Sequence, residues 1–86
     1  MKETLQYTVT SLYDRQIEEY HNQLARIKDL KEHGLISDFE RIDHQQEVFE
    51  KLHEVYNKIE GFKECCELFG YTIEGDFTGH TVIEKG

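Results

Sequence analysis

The spacing of hydrophobic and polar positions changes twice along this chain. From Thr4 to Thr10 the two alternate strictly, with Leu5, Tyr7 and Val9 on one side and Gln6 and Thr8 on the other. Period two with aromatic and β-branched residues predicts a half-buried strand. Ser11 then suits a helix N-cap, and Asp14 places negative charge where a helix N-terminus favours it. From Tyr13 the spacing turns helical, through Ile17, Tyr20, Leu24 and Ile27 to Leu30.

Gly34 supplies the left-handed residue that ends such a helix, and Leu35 beyond it is placed to touch Leu30, the side-chain pattern of a Schellman motif. Ser37-Asp38-Phe39-Glu40 follows at once as a capping box. So short a break between two amphipathic segments predicts an antiparallel helical hairpin over residues 11–33 and 38–69. Gly61, which costs about 1 kcal/mol relative to alanine inside a helix, marks a candidate kink, and Gly70 terminates the second helix.

Beyond Gly70, Tyr71-Thr72-Ile73-Glu74 restores period two. Gly75-Asp76-Phe77-Thr78-Gly79 reads as a turn and His80 to Lys85 as a return strand. The expected fold is a single mainly helical α+β domain over residues 1–86. Its helical hairpin carries a small antiparallel sheet, built from an N-terminal strand and a C-terminal β-hairpin. Four-helix pairing of two hairpins, with the terminal segments left mobile, is the alternative.

The second helix has an unusual outer face. Glu40, Asp43, Glu47, Glu50 and Glu54 recur in steps of three, four, three and four, which keeps them on one line. Like charges at this spacing cost an isolated helix about 0.2–0.5 kcal/mol per pair, so local stability does not explain them. Ile42, Phe49, Leu52 and Tyr56 fall on roughly the opposite side and are expected to face inward. Val48, Val55, Ile59, Phe62 and Phe69 widen the apolar stripe beyond what one neighbouring helix covers. They are the candidate surface for self-association, with the sheet or a second copy of the chain as cover.

Charge narrows the partners. The 86 residues carry a net charge of −8, and residues 37–69 hold nine of the acidic groups against four basic ones. A balance of this sign repels phosphate backbones and anionic membranes, which disfavours direct nucleic-acid binding and membrane adhesion. It favours basic proteins, among them proteins that bind nucleic acid. No apolar run approaches the roughly 20 residues needed to span a bilayer, and Met1-Lys2-Glu3 opens no signal peptide. Cys65 and Cys66 are adjacent, too far apart around a helix to be bridged easily. Together these features predict a soluble protein of the reducing cytoplasm, with Cys66 in the core and Cys65 at its edge.

Candidate chemistry is sparse. Glu18 with His21 and Glu50 with His53 repeat the Glu-x-x-His spacing of carboxylate-bridged metal sites in helical bundles. A metal site needs all four to project inward, but the helical wheel turns Glu18 and Glu50 away from the apolar seam, so no metal or cofactor is expected. His33 complements a helix C-terminus, and His44 and His80 lack partners at ligand spacing. No nucleophile is paired with a base and no glycine-rich phosphate loop opens a helix, so no enzymatic activity is expected.

The expected function is therefore a non-enzymatic protein–protein interaction domain. It engages a basic protein through Glu40, Asp43, Glu47, Glu50 and Glu54. Those carboxylates span about 21 Å at phosphate-like intervals. In size and charge the chain resembles the small acidic inhibitors of phages and mobile elements that mimic nucleic acid against restriction or CRISPR nucleases. It shares no motif with them, so the resemblance assigns no residue a role. A homo-oligomeric helical assembly module, a homodimer in its simplest form, and a carboxylate–histidine metal-binding protein are the alternatives.

Overall fold

The computed structural model describes residues 1–76 and 78–85. It is mainly helical, with a two-stranded antiparallel sheet. The first helical arm comprises α1 (Lys2–Val9), a π-helical turn (Thr10–Asp14) and α2 (Arg15–Glu32). α3 (Asp38–Leu68) lies beside that arm, and β1 (Tyr71–Asp76) and β2 (Gly79–Glu84) complete the chain.

The N-terminal segment is a helix, not the strand that its alternation predicts. Leu5 packs inward and Val9 is fully buried, but Tyr7 between them is 73% exposed. The inward positions thus repeat every four residues, through Leu5, Val9, Tyr13 and Ile17. No glycine or proline interrupts the chain before Gly34, so the helix simply continues through Ser11, which is not an N-cap. Each step of four overshoots a regular α-helical turn by about 40°. The wider turn at Thr10–Asp14 absorbs the accumulated drift and keeps one face inward.

The break between the helical arms follows the local signals. Gly34 adopts φ 69°, its N–H reaches the Lys31 carbonyl, and the Leu35 N–H reaches the Leu30 carbonyl at 2.9 Å. These are the paired bonds of the Schellman motif. Leu35 itself remains exposed and does not pack inside against Leu30. α3 then runs without interruption through Gly61, where a kink was a candidate.

β1 pairs with β2 from Tyr71↔Glu84 to Asp76↔Gly79. Phe77 of the expected turn lies outside the described residues. Gly75, at φ 145°, sits so close to β2 that a Cβ there would lie 2.1 Å from the Gly79 carbonyl oxygen. Glycine is required at that position.

Two small cores follow one another along the molecule. Ile17, Val48, Leu52, Val55 and Ile59 form the first between the helices, and Val9, Cys66, Ile73 and Val82 form the second beneath the sheet. Tyr13 packs against both, its ring centroid 5.6 Å from that of Phe62. The molecule measures 53 × 17 × 15 Å, with a radius of gyration of 16.2 Å. A compact chain of this length would give about 12 Å. It is a rod one helix-pair thick, and each helix can bury only one stripe. No helix is long and apolar enough to cross a membrane among the described residues.

Candidate functional site: the solvent face of α3

The start of α3 is fixed by its own sequence. Ser37, in extended conformation, accepts the Glu40 backbone N–H at 3.2 Å and donates its hydroxyl to the Glu40 carboxylate at 3.2 Å. Asp38 and Glu40 place negative charge in the first turn, where the helix dipole favours it. The Lys31 ammonium, 3.2 Å from Asp38, hydrogen-bonds its carboxyl and with Arg41 holds it below the usual carboxylate range.

From this start Glu40, Asp43, Glu47, Glu50 and Glu54 run along α3, all exposed. They are not equally free. Glu40 is engaged with Ser37, Glu47 lies 3.7 Å from Lys51, and Glu54 lies 3.5 Å from Lys58. Asp43 and Glu50 make no ion pair among the described residues.

The apolar positions divide differently from the expectation. Leu52 is buried and Tyr56 is half-buried against the core, but Ile42 is 54% and Phe49 55% exposed. Phe39, one turn earlier, is 81% exposed. The interior face of α3 is instead Val48, Leu52, Val55 and Ile59. Val48, Val55 and Ile59 are thus consumed by the chain's own core and offer no surface for self-association. Phe62 is half-buried beside the second core, and only Phe69 of the expected oligomerisation set stands exposed. The reason is geometric. With a single helical neighbour, α3 buries one stripe, and the second apolar strip faces solvent beside the carboxylates.

Ile42, Gln45, Gln46, Phe49, Glu50 and His53 line a shallow depression of about 570 Å³ on this face. Glu18 and His21 line a different one, next to Asp14, Thr78 and His80 at the sheet end. The two Glu-x-x-His pairs therefore do not converge. Among the described residues no group of three or more His, Cys, Asp or Glu side chains is placed to hold a metal ion.

One polar cluster is invisible in the sequence. The Asp14 carboxylate accepts the His80 backbone N–H at 2.9 Å and meets the His80 Nδ1 at 2.5 Å. The Gln6 amide donates to the His80 carbonyl and accepts the Val82 N–H, both at 2.8 Å. Gln6 and Asp14 thereby cap the outer edge of β2 as a further strand would, removing an open ladder. A carboxylate–imidazole pair also suits proton transfer. Here the His80 side chain is only 2% exposed, so the pair fastens the sheet to the first helical arm and presents no open base to a substrate. No local signal marks it, because its partners lie 66 to 76 residues apart.

No family model, curated protein or solved structure matches this chain.

Proposed function

We propose that the chain is a non-enzymatic protein-interaction domain of the cytoplasm, a helical hairpin whose working surface is the solvent face of α3, and that its partner is a basic protein. The supporting observation is the line of Glu40, Asp43, Glu47, Glu50 and Glu54, all exposed on one helix of a strongly acidic chain. Asp43 and Glu50, without ion-pair partners among the described residues, are the groups most available to an incoming cation. Nucleic-acid mimicry, of the kind that phage and mobile-element inhibitors use, is the narrower form of this reading. In that form the partner's own nucleic acid competes with the chain.

The test compares the wild-type chain with Glu47→Lys/Glu50→Lys in capture of basic proteins at low and at high salt. Exposed charge contacts are screened over roughly 8–10 Å at ordinary ionic strength, so wild-type capture is salt-sensitive. The double variant loses the partner while its circular dichroism and melting temperature are kept. A partner held equally by both chains removes the carboxylate line from the interface.

A further inference from the structure

The carboxylate line does not cover the whole exposed face of α3. Beside it stand Phe39, Ile42 and Phe49, each more than half exposed, at spacings that keep them on one side of the helix. Large apolar side chains grouped this way on a small rod mark a surface built for contact. Ile42 and Phe49 line the depression together with Gln45, Gln46, Glu50 and His53.

We infer that the strip of Phe39, Ile42 and Phe49 seats an amphipathic helix of a partner protein, its apolar face on the strip and its Lys or Arg residues on the carboxylate side. This inference rests on the proposed function above and specifies the partner's form.

Charge complementarity selects this occupant. Any chain seated on the strip lies against Asp43 and Glu50 along one edge. Neither has an ion pair among the described residues, where Lys51 and Lys58 pair with Glu47 and Glu54 instead. A second copy of this chain would bring its own net charge of −8 to the same edge. Nucleic acid is repelled for the same reason and has no use for an apolar strip. The strip also has the dimensions of a helix site. Phe39 to His53 rises about 21 Å, four turns, and ridges of a partner helix settle into such a face at 8–10 Å between axes.

Three synthetic peptides of about 18 residues, long enough to cover the strip, serve as probes. The first carries leucines at helical spacing flanked by lysines. The second has the same composition with the leucines dispersed, and the third replaces the lysines by glutamates. Binding is measured by fluorescence anisotropy against wild-type protein and against Ile42→Gln/Phe49→Gln. Both substituted side chains are exposed, so circular dichroism and the melting temperature are expected to stay unchanged.

The basic amphipathic peptide is expected to bind at least about tenfold more tightly than its dispersed isomer. The Gln variant is expected to lose about tenfold or more for that peptide alone, and amide shifts are expected to cluster between residues 39 and 53. Equal binding of the two basic peptides, indifferent to the Gln variant, overturns the helix seat while leaving the carboxylate reading intact. Equal binding of the glutamate peptide overturns the charge selection, and binding of none overturns the site. Sedimentation showing a wild-type dimer that the Gln variant abolishes assigns the strip to a second copy and likewise overturns the inference.

Discussion

Asp14 and His80, 66 residues apart, are joined twice: one carboxylate oxygen accepts the His80 backbone N–H at 2.9 Å and the other meets its ring Nδ1 at 2.5 Å. Asp14→Ala leaves a buried imidazole and a buried N–H without their acceptor. A stability loss of about 1–3 kcal/mol in urea unfolding is expected, with Asp14→Asn losing less because one acceptor survives. Gln6→Ala frees the neighbouring backbone groups, so the Val82 amide is expected to exchange its hydrogen faster in that variant. Unchanged exchange at Val82 would show that the Gln6 amide does not hold the strand edge.

Two glycines respond to alanine with opposite sign. At Gly75 the added Cβ collides with the Gly79 carbonyl and the positive φ is strained, and a loss of about 1–3 kcal/mol is expected. At Gly61, in the interior of α3, nothing lies within 4 Å of the new Cβ. Gly61→Ala is expected to raise stability by about 0.5–1 kcal/mol through helix propensity. Thermal melts of the two variants check both directions.

These glycines also show how far the sequence could be read. The glycine turn at Gly34, the Ser37 N-cap and the β-hairpin after Gly70 are local devices, each complete within a few residues, and each forms, although the Glu40 carboxylate meets the Ser37 hydroxyl and not its backbone N–H as in a full capping box. The alternation of Leu5, Tyr7 and Val9 was equally local, but it was outweighed by a four-residue repeat that extends to Ile17 and becomes visible only when Tyr7 is found outside. The exposed carboxylates needed nothing beyond helical geometry. Which apolar stripe of α3 turned inward depended on where its one neighbour lies. Periodicity alone placed Ile42 and Phe49 inside and left Val48, Val55 and Ile59 for a partner, the reverse of their burial.

Acid is expected to weaken the fold through two carboxyls. Lys31 and Arg41 hold Asp38 below its ordinary value, and hydrogen bonds from the Thr78 hydroxyl and N–H, with His80 nearby, do the same for Asp76. A carboxyl whose pKa is lower in the folded chain contributes stability above its unfolded value of 3.8, and that contribution is lost as pH falls through the folded value. The melting temperature is therefore expected to fall as pH drops from about 5 toward 2. Lys31→Met is expected to move the Asp38 carboxyl resonance in an NMR titration back toward the ordinary carboxylate range. A titration unchanged by that substitution would remove the Lys31 contact as the cause.

The adjacent thiols are unequal. Cys65 is exposed, whereas Cys66 is buried in the second core, where burial, and then Cys65 beside it, push its thiol up. Thiolate is the reactive form, so one thiol is expected to react promptly with a disulfide reagent in the folded chain and two in denaturant. Mass mapping of the labelled peptide is expected to place the native label on Cys65.

Tyr13 is the ring shared by the helical core and the core beneath the sheet. Together with the two helical arms that run past both cores, this ring, tilted on Phe62, links the packing of one end of the rod to that of the other. Trimming it to alanine is expected to loosen that link, so that amides of the strands exchange faster relative to those of the paired helices than in the wild-type chain.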